Sequence, residues 1–348
     1  MRKVSEQDKG IARWLMIGVI MIVIQVLIGG ITRLTESGLS ITEWKPITGA
    51  LPPSNRADWM TEFEKYRQTD QFKYINQTIT LSEFKFIYFW EWMHRQWARL
   101  LGVVFIVGFV YFLVRKRFKK GMVVPMIILF LLGALQGLIG WIMVASGLVP
   151  EKYYVGHVEL TTHFLAALIL LAYTQWFAMS MSPTYQVRVQ SSSVKNFLWL
   201  ILVLLFIQLG YGGFMAGLKA AQTAPTWPDI NGAFAPATML EQNPVWLNFV
   251  NNPLAIHFVH RGLAYLLLLI IILFFIRSYS VPGGNLFSRL RTFLLILTLT
   301  QVLLGIFTVL NGTNPKNLIW FGVSHQFVAM LMVMCITALH YITVRHRR

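Results

Sequence analysis

The stretch from Glu83 to Gly102, EFKFIYFWEWMHRQWARLLG, is an apolar, aromatic run long enough to enter a lipid bilayer. It carries four ionisable side chains into that run: Glu91, His94, Arg95 and Arg99. Charged groups at membrane depth are costly and are found mainly at functional sites. The stretch therefore indicates both a membrane helix and a functional centre on that helix.

A second copy of this core begins at Asn251 and reads NNPLAIHFVHRGLAYLLLL. It places His260 and Arg261 166 residues after His94 and Arg95. Because the costly residues recur together, we interpret the chain as two copies of the structure that surrounds one His-Arg pair.

The composition identifies the class of protein. Of the 348 residues, 56% are hydrophobic and only 13% are charged, which is too apolar for a soluble chain of this length. A helix needs about 20 apolar residues to cross a hydrocarbon layer about 30 Å thick. Eight runs meet that requirement, near residues 11–32, 84–114, 122–145, 155–180, 196–217, 253–276, 287–310 and 318–344. We therefore predict an all-α, polytopic membrane protein with eight transmembrane helices.

The net charge of +16 comes from basic residues that cluster between the predicted helices. They do not form one patch with interleaved aromatics, so we expect membrane lipid and no nucleic acid as a partner. If all eight runs cross, five clusters share one side: Arg2, Lys3, Lys9 and Arg13; Arg115, Lys116, Arg117, Lys119 and Lys120; Arg188 and Lys195; Arg277, Arg289 and Arg291; Arg345, Arg347 and Arg348. Cytoplasmic loops carry this excess, so we expect a multi-pass protein of the cell (inner) membrane with both termini cytoplasmic.

The two halves repeat each other. Eight residues recur at a constant offset of 183: Gln25, Gly29, Gly30, Trp44, Ile47, Gly49, Ala50 and Pro53. Later helices match at offsets of 166, 165 and 162. Because each copy holds an even number of helices, we predict two tandem four-helix bundles related by a pseudo-twofold axis along the membrane normal. The predicted bundles span residues 1–187, with an outer loop at 33–83, and residues 188–348.

The outer loop is the one sizeable soluble part of the predicted structure. Its segment ADWMTEFEKYRQTDQFKYINQTITLSEFKF has helical spacing of apolar residues among mixed charges, which favours short amphipathic helices over the outer mouth. The alternative is a connecting loop that contacts no ligand.

Four histidines lie on the even-numbered helices: His94, His163, His260 and His325. Each is roughly seven to ten residues inside the outer end of its helix, so all are about 10 to 15 Å deep. One pair per bundle at equal depth is what bis-histidine ligation of a haem iron requires. A single intramembrane histidine is more often a hydrogen-bonded helix contact, but four at repeat-related positions favour ligation. Of the four other histidines, we interpret three as structural: His157, His340 and His346.

Residues near these histidines allow more than one interpretation. Glu91 and Glu159 each lie one turn outward of a candidate ligand, so both carboxyls could face the same cavity. Arg95 and Arg261 either neutralise haem propionates or pair with a nearby glutamate or carbonyl. The glycines at 29–30, 140, 212–213 and 305 allow close approach of a flat macrocycle or, more simply, of a neighbouring helix.

This set of motifs resembles the haem A synthase family, membrane enzymes that oxidise haem O to haem A for terminal oxidases. The matching features cover essentially the whole chain. They are RLTESGLSITEWKPITGALPP after helix 1, EFKFIYFWEWMHRQWARLLG in helix 2, the helices of His163 and His325, and PTWPDINGAFAP followed by HFVHRGLAY. Some family members carry a cysteine pair in an outer loop, whereas the single cysteine of this chain, Cys335, lies in the last predicted helix.

The resemblance implies that His94 and His163 bind the substrate, haem O, and that His260 and His325 ligate a resident b-type haem through its iron. It implies that successive hydroxylations convert the methyl group on carbon 8 of the porphyrin to a formyl group, with electrons leaving through the second haem. It also implies two candidate partners, haem O synthase and an electron acceptor.

The repeat symmetry breaks one turn outward of the first ligand, where Glu91 has His257 as its counterpart. An enzyme built by duplication is expected to do its chemistry where its halves differ, so we predict that Glu91 is catalytic and handles a proton. The alternative for Glu91 is a structural salt bridge to Arg95 or Arg99. The alternative for the whole protein is a di-haem cytochrome b that transfers electrons without modifying haem.

Overall fold

The computed structural model describes residues 6–45, 48–185 and 188–343. Within these ranges, eight helices are long and apolar enough to cross a membrane. In chain order they are α1 Glu6–Leu34, α2 Leu81–Val114, α3 Val123–Gly147, α4 His157–Ser180, α5 Ser192–Gly217, α6 Pro253–Arg277, α7 Gly284–Leu310 and α8 Pro315–Thr343. The described residues form no β-strand. The prediction of an all-α membrane protein with eight transmembrane helices is confirmed.

Several residues used in the sequence arguments lie outside the described ranges: Arg2, Lys3, Ile47, Arg345, His346, Arg347 and Arg348. The placement of both termini in the cytoplasm therefore stays a prediction from the distribution of basic residues.

The helix that carries Glu91 and His94 begins at a capping box. Thr80 Oγ1 accepts a hydrogen bond from Glu83 N at 3.3 Å, and Glu83 Oε2 accepts one from Thr80 N at 2.7 Å. Backbone donors in a first helical turn have no partner within the helix, and the box satisfies two such donors at once. This local signal determines where α2 starts. The helix begins at Leu81, so His94 lies 13 residues inside its outer end and the expected seven to ten residues is wrong for this histidine, because α2 extends outward beyond the apolar run.

Four helices form the centre of the molecule: α1, α4, α5 and α8. In the first half α1 contacts α2 and α4, and α3 contacts α4; in the second half α5 contacts α6, and α7 contacts α8. Across the halves α4 packs on α5, α1 on α8, and α4 on α8. Each central helix contributes fully buried apolar side chains, for example Ile11, Leu171, Leu198 and Ile336. The division at 187/188 into two bundles with a pseudo-twofold axis stays a prediction.

The outer faces of α2 and α3 are apolar and exposed. Val107 is 63% exposed, Val114 73% and Leu131 58%. A continuous exposed apolar surface of this kind is typical of a face that meets lipid.

The outer segment between α1 and α2 forms helices at Arg56–Arg67 and Asp70–Tyr74 and a short 3-10 turn at Thr48–Ala50. Phe63 and Tyr66 pack against Phe84 and Tyr88 of α2 in a small separate core. The expectation of short helices here is confirmed. The corresponding outer segment between α5 and α6 contains four short turns, at Ala220–Thr223, Ala237–Leu240, Val245–Leu247 and Asn248–Asn251.

Candidate functional site

Each candidate ligand in the first half lies beside a glutamine from the preceding transmembrane helix. Gln25 Nε2 is 3.2 Å from both ring nitrogens of His94 and donates to the His94 carbonyl at 3.1 Å. Gln136 Nε2 is 3.1 Å from His163 Nδ1 and donates to the His163 carbonyl at 2.9 Å. The amide thus holds both the ring and the backbone of its histidine.

The second half repeats the pairing. Gln208 Nε2 is 3.4 Å from His260 Nε2, and Gln301 Nε2 is 3.2 Å from His325 Nε2. All four histidines therefore have the same partner type, supplied in each case by an odd-numbered transmembrane helix.

A glycine lies four residues after each of these glutamines: Gly29, Gly140, Gly212 and Gly305. A Cβ atom added at these positions would lie 3.0, 2.8, 3.4 and 3.0 Å, respectively, from Cε1 of the adjacent imidazole. Each imidazole ring therefore packs against the helix backbone at the glycine, one turn away from the glutamine that it contacts. A side chain at Gly29, Gly140 or Gly305 would force the ring to shift, whereas at Gly212 it would only contact the His260 ring.

The second glycine of each GG pair has another role. A Cβ atom at Gly30 would meet the Gln326 side chain, and one at Gly213 would meet the Thr161 side chain. Both contacts join the two halves, across α1 and α8 and across α5 and α4. These glycines therefore serve close helix packing.

The unpaired polar atoms of the site suit an axial haem ligand. Nδ1 of His260 and of His325 is buried without a hydrogen-bond partner, as is Oε1 of all four glutamines. A ligating imidazole binds the metal through one nitrogen and hydrogen-bonds through the other, and buried polar atoms are rarely left unpaired. Within the described residues, no three or more His, Cys, Asp or Glu side chains are grouped to hold a metal ion. Two imidazoles would suffice for an iron whose remaining ligands come from a porphyrin, and the assignment of the four histidines as ligands stays a prediction.

Glu91 is buried and fully engaged. Its Oε1 lies 2.6 Å from Arg95, while its Oε2 accepts hydrogen bonds from Ser40 Oγ at 2.8 Å and Ile41 N at 2.9 Å. The carboxylate therefore ties α2 to the segment that follows α1. The ion pair with Arg95 is the structural alternative considered for this residue, and the catalytic role of Glu91 stays a prediction.

The two arginines that follow the histidines hold the outer segments. Arg95 donates to the carbonyls of Ile41 at 2.9 Å and Glu43 at 3.0 Å. Arg261 donates to the carbonyls of Thr226 at 2.7 Å, Pro228 at 3.2 Å and Asp229 at 2.7 Å. Both guanidinium groups thus close the outer end of their half by binding backbone carbonyls.

The position equivalent to Glu91 carries different chemistry. His257 is fully buried, and its Nδ1 accepts a hydrogen bond from Arg261 Nε at 3.0 Å. An i,i+4 pair with arginine is therefore present in both halves, with an anion in the first and an imidazole in the second.

The remaining described histidines and Glu159 lie at other places. The His157 ring packs edge-on against Phe214 with centroids 5.7 Å apart, and His340 packs against Trp199 with centroids 4.9 Å apart. Glu159 lies in the first turn of α4, where its carboxylate folds back beside Gly156. An acid in a first turn interacts favourably with the helix dipole.

Charged side chains cluster at the outer rim, next to the Glu43 carbonyl that Arg95 binds. Lys45 and Lys65 approach Glu43 Oε2 to 2.5 and 3.0 Å. Hydrogen bonds from these two lysines hold the pKa of the Glu43 carboxyl below its usual value. Glu43 therefore stays ionised over the physiological pH range, and its carbonyl accepts the bond from Arg95.

The four glutamines were not predicted as partners of the histidines. In the sequence, Gln25 and Gln136 are distinguished only by their repeat counterparts, Gln208 and Gln301. The available signal was the spacing: each glutamine precedes by four residues a glycine that is itself repeated.

A family model and individual relatives match this chain over most of its length. Residues 12–337 match the family model COX15-CtaA, described as cytochrome oxidase assembly protein. Heme A synthase of Rhodospirillum centenum is 41% identical over 327 residues, covering 93% of this chain and 86% of that protein. Heme A synthase of Brucella suis is 39% identical over 338 residues, covering 97% and 92%, and that of Cereibacter sphaeroides is 38% identical over 350 residues, covering 95% and 88%. This chain belongs to the COX15-CtaA family of cytochrome oxidase assembly proteins.

Proposed function

We propose that this protein is a haem A synthase, an oxidoreductase that converts the C8 methyl group of haem O to a formyl group by successive hydroxylations. The observation that carries the proposal is one arrangement repeated four times, a histidine contacted by a glutamine and packed on a glycine. Two such histidines in each half are the number that two bis-imidazole sites require. Relatives named heme A synthase match over nearly the full length of both proteins and support the same conclusion.

The two sites are assigned different haems. His94 and His163 bind the substrate, haem O, and His260 and His325 hold a resident b-type haem. The resident haem, when bound, supplies one-electron redox chemistry. In both sites the glutamine amides orient the imidazoles, and the glycines let the rings lie against the helices.

Glu91 is the proposed catalytic residue of the substrate half. Its carboxylate lies one turn outward of His94, is shielded from solvent, and is held in place by Arg95 and two neutral donors. A carboxylate held in this way can accept a proton close to the reacting edge of the substrate. We further propose a location in the cell membrane with both termini cytoplasmic, because the clusters of basic residues without interspersed acids fall on one side.

The test uses cells that make haem O and lack any other enzyme that forms haem A. Expression of the full chain is expected to yield haem A or hydroxylated haem O among the extracted pigments. His94→Ala is expected to abolish both products and to keep the b-type absorbance of the purified protein.

Two outcomes would contradict the proposal. The first is unchanged haem O together with haem B alone on the purified protein, which would indicate an electron-transfer cytochrome. The second is an unchanged reduced spectrum in His260→Ala or His325→Met, which would overturn the assignment of the b-type haem, since a bis-histidine site with one ligand holds haem poorly.

A further inference from the structure

The first half contains an apolar cavity of about 270 Å³ between α1, α2, α3 and α4, which we call the inner cavity. Five small residues line it: Gly18, Ala98, Gly102, Gly133 and Ala134. Trp14 and Phe105 stack with ring centroids 5.4 Å apart and also line the cavity. Added Cβ atoms at Gly102 and Gly133 would meet nothing within 4 Å. The space therefore exists because these positions lack side chains.

The polar side-chain groups in the lining are already paired within the protein. The Trp14 indole donates to the Val104 carbonyl at 3.1 Å, and the Thr174 hydroxyl donates to the Leu170 carbonyl at 2.7 Å. An occupant thus meets apolar surface, and the side-chain donors of these described lining residues are engaged elsewhere. The apolar lining of the cavity therefore favours a hydrocarbon as its occupant.

The inner cavity begins directly inward of the substrate histidines. On α2, Ala98, Leu101 and Phe105 follow His94 by 4, 7 and 11 residues, a spacing that keeps them on the same helix face. On α4, Leu170 and Thr174 follow His163 by 7 and 11 residues. At a rise of about 1.5 Å per residue, the cavity starts about 6 Å inward of His94.

The second half has larger residues at four of the five corresponding positions, the exception being Ala98, whose counterpart is Ala264. The offsets of 183, 166 and 165 relate Gly18, Gly102, Gly133 and Ala134 to Ile201, Leu268, Thr298 and Leu299. Ile201 and Thr298 are buried, at 0% and 3% exposure, and Leu268 is partly buried, while Leu299 reaches the surface. These four positions therefore carry larger side chains in the second half, at the same depth below equivalent histidines, whereas Trp14, Phe105 and Phe130 have the smaller counterparts Phe197, Ile271 and Leu295.

We infer that the inner cavity binds the hydroxyethylfarnesyl chain of haem O, an inference that rests on the proposed function. Haem O carries this chain where haem B carries a vinyl group, so the tail distinguishes the substrate from the resident haem. An apolar cavity of about 150 Å³ is enough to bind benzene, and the inner cavity is nearly twice as large. The filled second half would exclude the tail and accept haem B.

The placement agrees with the charges of the porphyrin. The tail and the two propionates lie on opposite edges of the ring, so a tail in the inner cavity directs the propionates toward the outer end of the helices. Carboxylates are much less costly near that interface than at the bilayer centre. The helices α2 and α3 also approach each other less extensively than α6 and α7. Phe130, which lines the cavity at this gap, is 50% exposed, so a long chain can enter from lipid.

The experiment fills the cavity with residues of the other half. Full-length wild type, Gly102→Leu and Gly18→Ile, each with the b-type haem in place, are titrated with haem O and with haem B, and binding is followed by difference absorbance. We expect haem O affinity to fall about tenfold or more in the filled variants, the equivalent of displacing two buried methylene groups, with haem B affinity unchanged. Gly262→Leu is the matched control, because this glycine is exposed and a Cβ atom added to it would meet nothing within 4 Å.

The outcomes separate the two proposals. Selective loss of haem O affinity supports the tail site, whereas equal affinities in wild type and filled variants, or equal loss for both haems, overturns it. If a filled variant does not fold, Gly133→Thr makes the same test from α3. If wild-type binding of haem O does not depend on His94, the proposed substrate site itself fails.

Discussion

Glu91 shows how one side chain can serve position and chemistry together. Its two carboxylate oxygens accept hydrogen bonds from Arg95, Ser40 Oγ and Ile41 N. These partners lie on α2 or on the segment after α1. A buried carboxylate needs such a set of donors, because burial of an unpaired charge is costly. The same contacts leave the anion fixed beside the proposed substrate site.

Glu91→Gln is expected to fold, to retain the b-type haem and to bind haem O, yet to form little or no haem A. The amide keeps the size of the side chain and one acceptor, but it cannot hold a proton or a negative charge. Product formation is measured by pigment extraction, with haem content as the readout of folding. Glu159→Gln, at the acid one turn outward of His163, is the control and should keep most activity. Haem A formation by Glu91→Gln at the native rate would place Glu91 among the structural charges.

Gln208 is expected to tune the b-type haem through His260. A half turn of its amide presents the unpaired Oε1 to the ring N–H of a ligating imidazole, and such an acceptor raises the basicity of the ligand. Gln208→Leu should therefore raise the reduction potential and weaken haem retention by about 10- to 100-fold.

A redox titration of purified Gln208→Leu measures the potential, and haem release to an acceptor protein measures retention. Gln222→Leu, at an exposed glutamine in the segment after α5, is the matched control. An unchanged potential in Gln208→Leu would mean that the glutamine holds only the helices.

At the scale of elements, the outer segment is ordered by Tyr66. Its phenol donates to Gln71 Oε1 at 3.0 Å and accepts from Asn76 Nδ2 at 2.8 Å, and the side chain is fully buried. Burial raises the pKa of Tyr66 to about 12. The folded-state pKa lies above the ordinary value of about 10, so this contribution to stability is complete below about pH 10 and is lost as the pH rises through about 12.

Tyr66→Phe is expected to destabilise the outer segment by about 1 to 3 kcal/mol, because Gln71 and Asn76 lose their shared partner. Limited proteolysis of residues 56–76 should be faster, while the b-type absorbance is unchanged. Tyr74→Phe, at a tyrosine that is 63% exposed, is the control. Equal proteolysis rates in the two variants would show that the hydroxyl contributes no stability.

Among the features of this protein, the helices were predicted most accurately from the sequence. The start of α2 was predicted within a few residues because an apolar run is a local feature. The orientation of Arg95 was left between haem and carbonyl, because that choice depends on the path of a segment that joins different helices.

At the scale of the whole molecule, two contacts join positions that are one repeat offset apart. Glu36 forms an ion pair with Lys219, and Arg33 donates to the Ala216 carbonyl; each pair is separated by 183 residues. Glu36 and Lys219 also share a left-handed backbone, with φ of 57° and 53°. A contact between repeat mates must lie at the symmetry axis, so these contacts support our proposal of a pseudo-twofold arrangement.

Charge exchange tests this interface. Glu36→Lys or Lys219→Glu is expected to lower the thermal stability of the purified protein, because like charges then meet, and the double exchange should restore most of the loss. The coupling energy is expected to be about 1 kcal/mol or less, since the pair is partly exposed. The same cycle at Glu64 and Arg67, within one outer helix, is the control. Additive single effects would show that the Glu36–Lys219 pair does not couple the halves.

The sequence by itself determined the eight helices, the duplication and the four histidines. Each is a property of a short window or of a constant offset: an apolar run long enough for lipid and a recurring motif. The resemblance to haem A synthases followed from the same motifs.

Only the tertiary structure decided the rest. The pairing of Gln301 with His325, the ties from Glu91 to Ser40 and Ile41, and the inner cavity each join side chains from different parts of the chain. Whether such side chains meet depends on the rotation and tilt of each helix against its neighbours, which the packing of the whole bundle determines and which no spacing along the chain specifies.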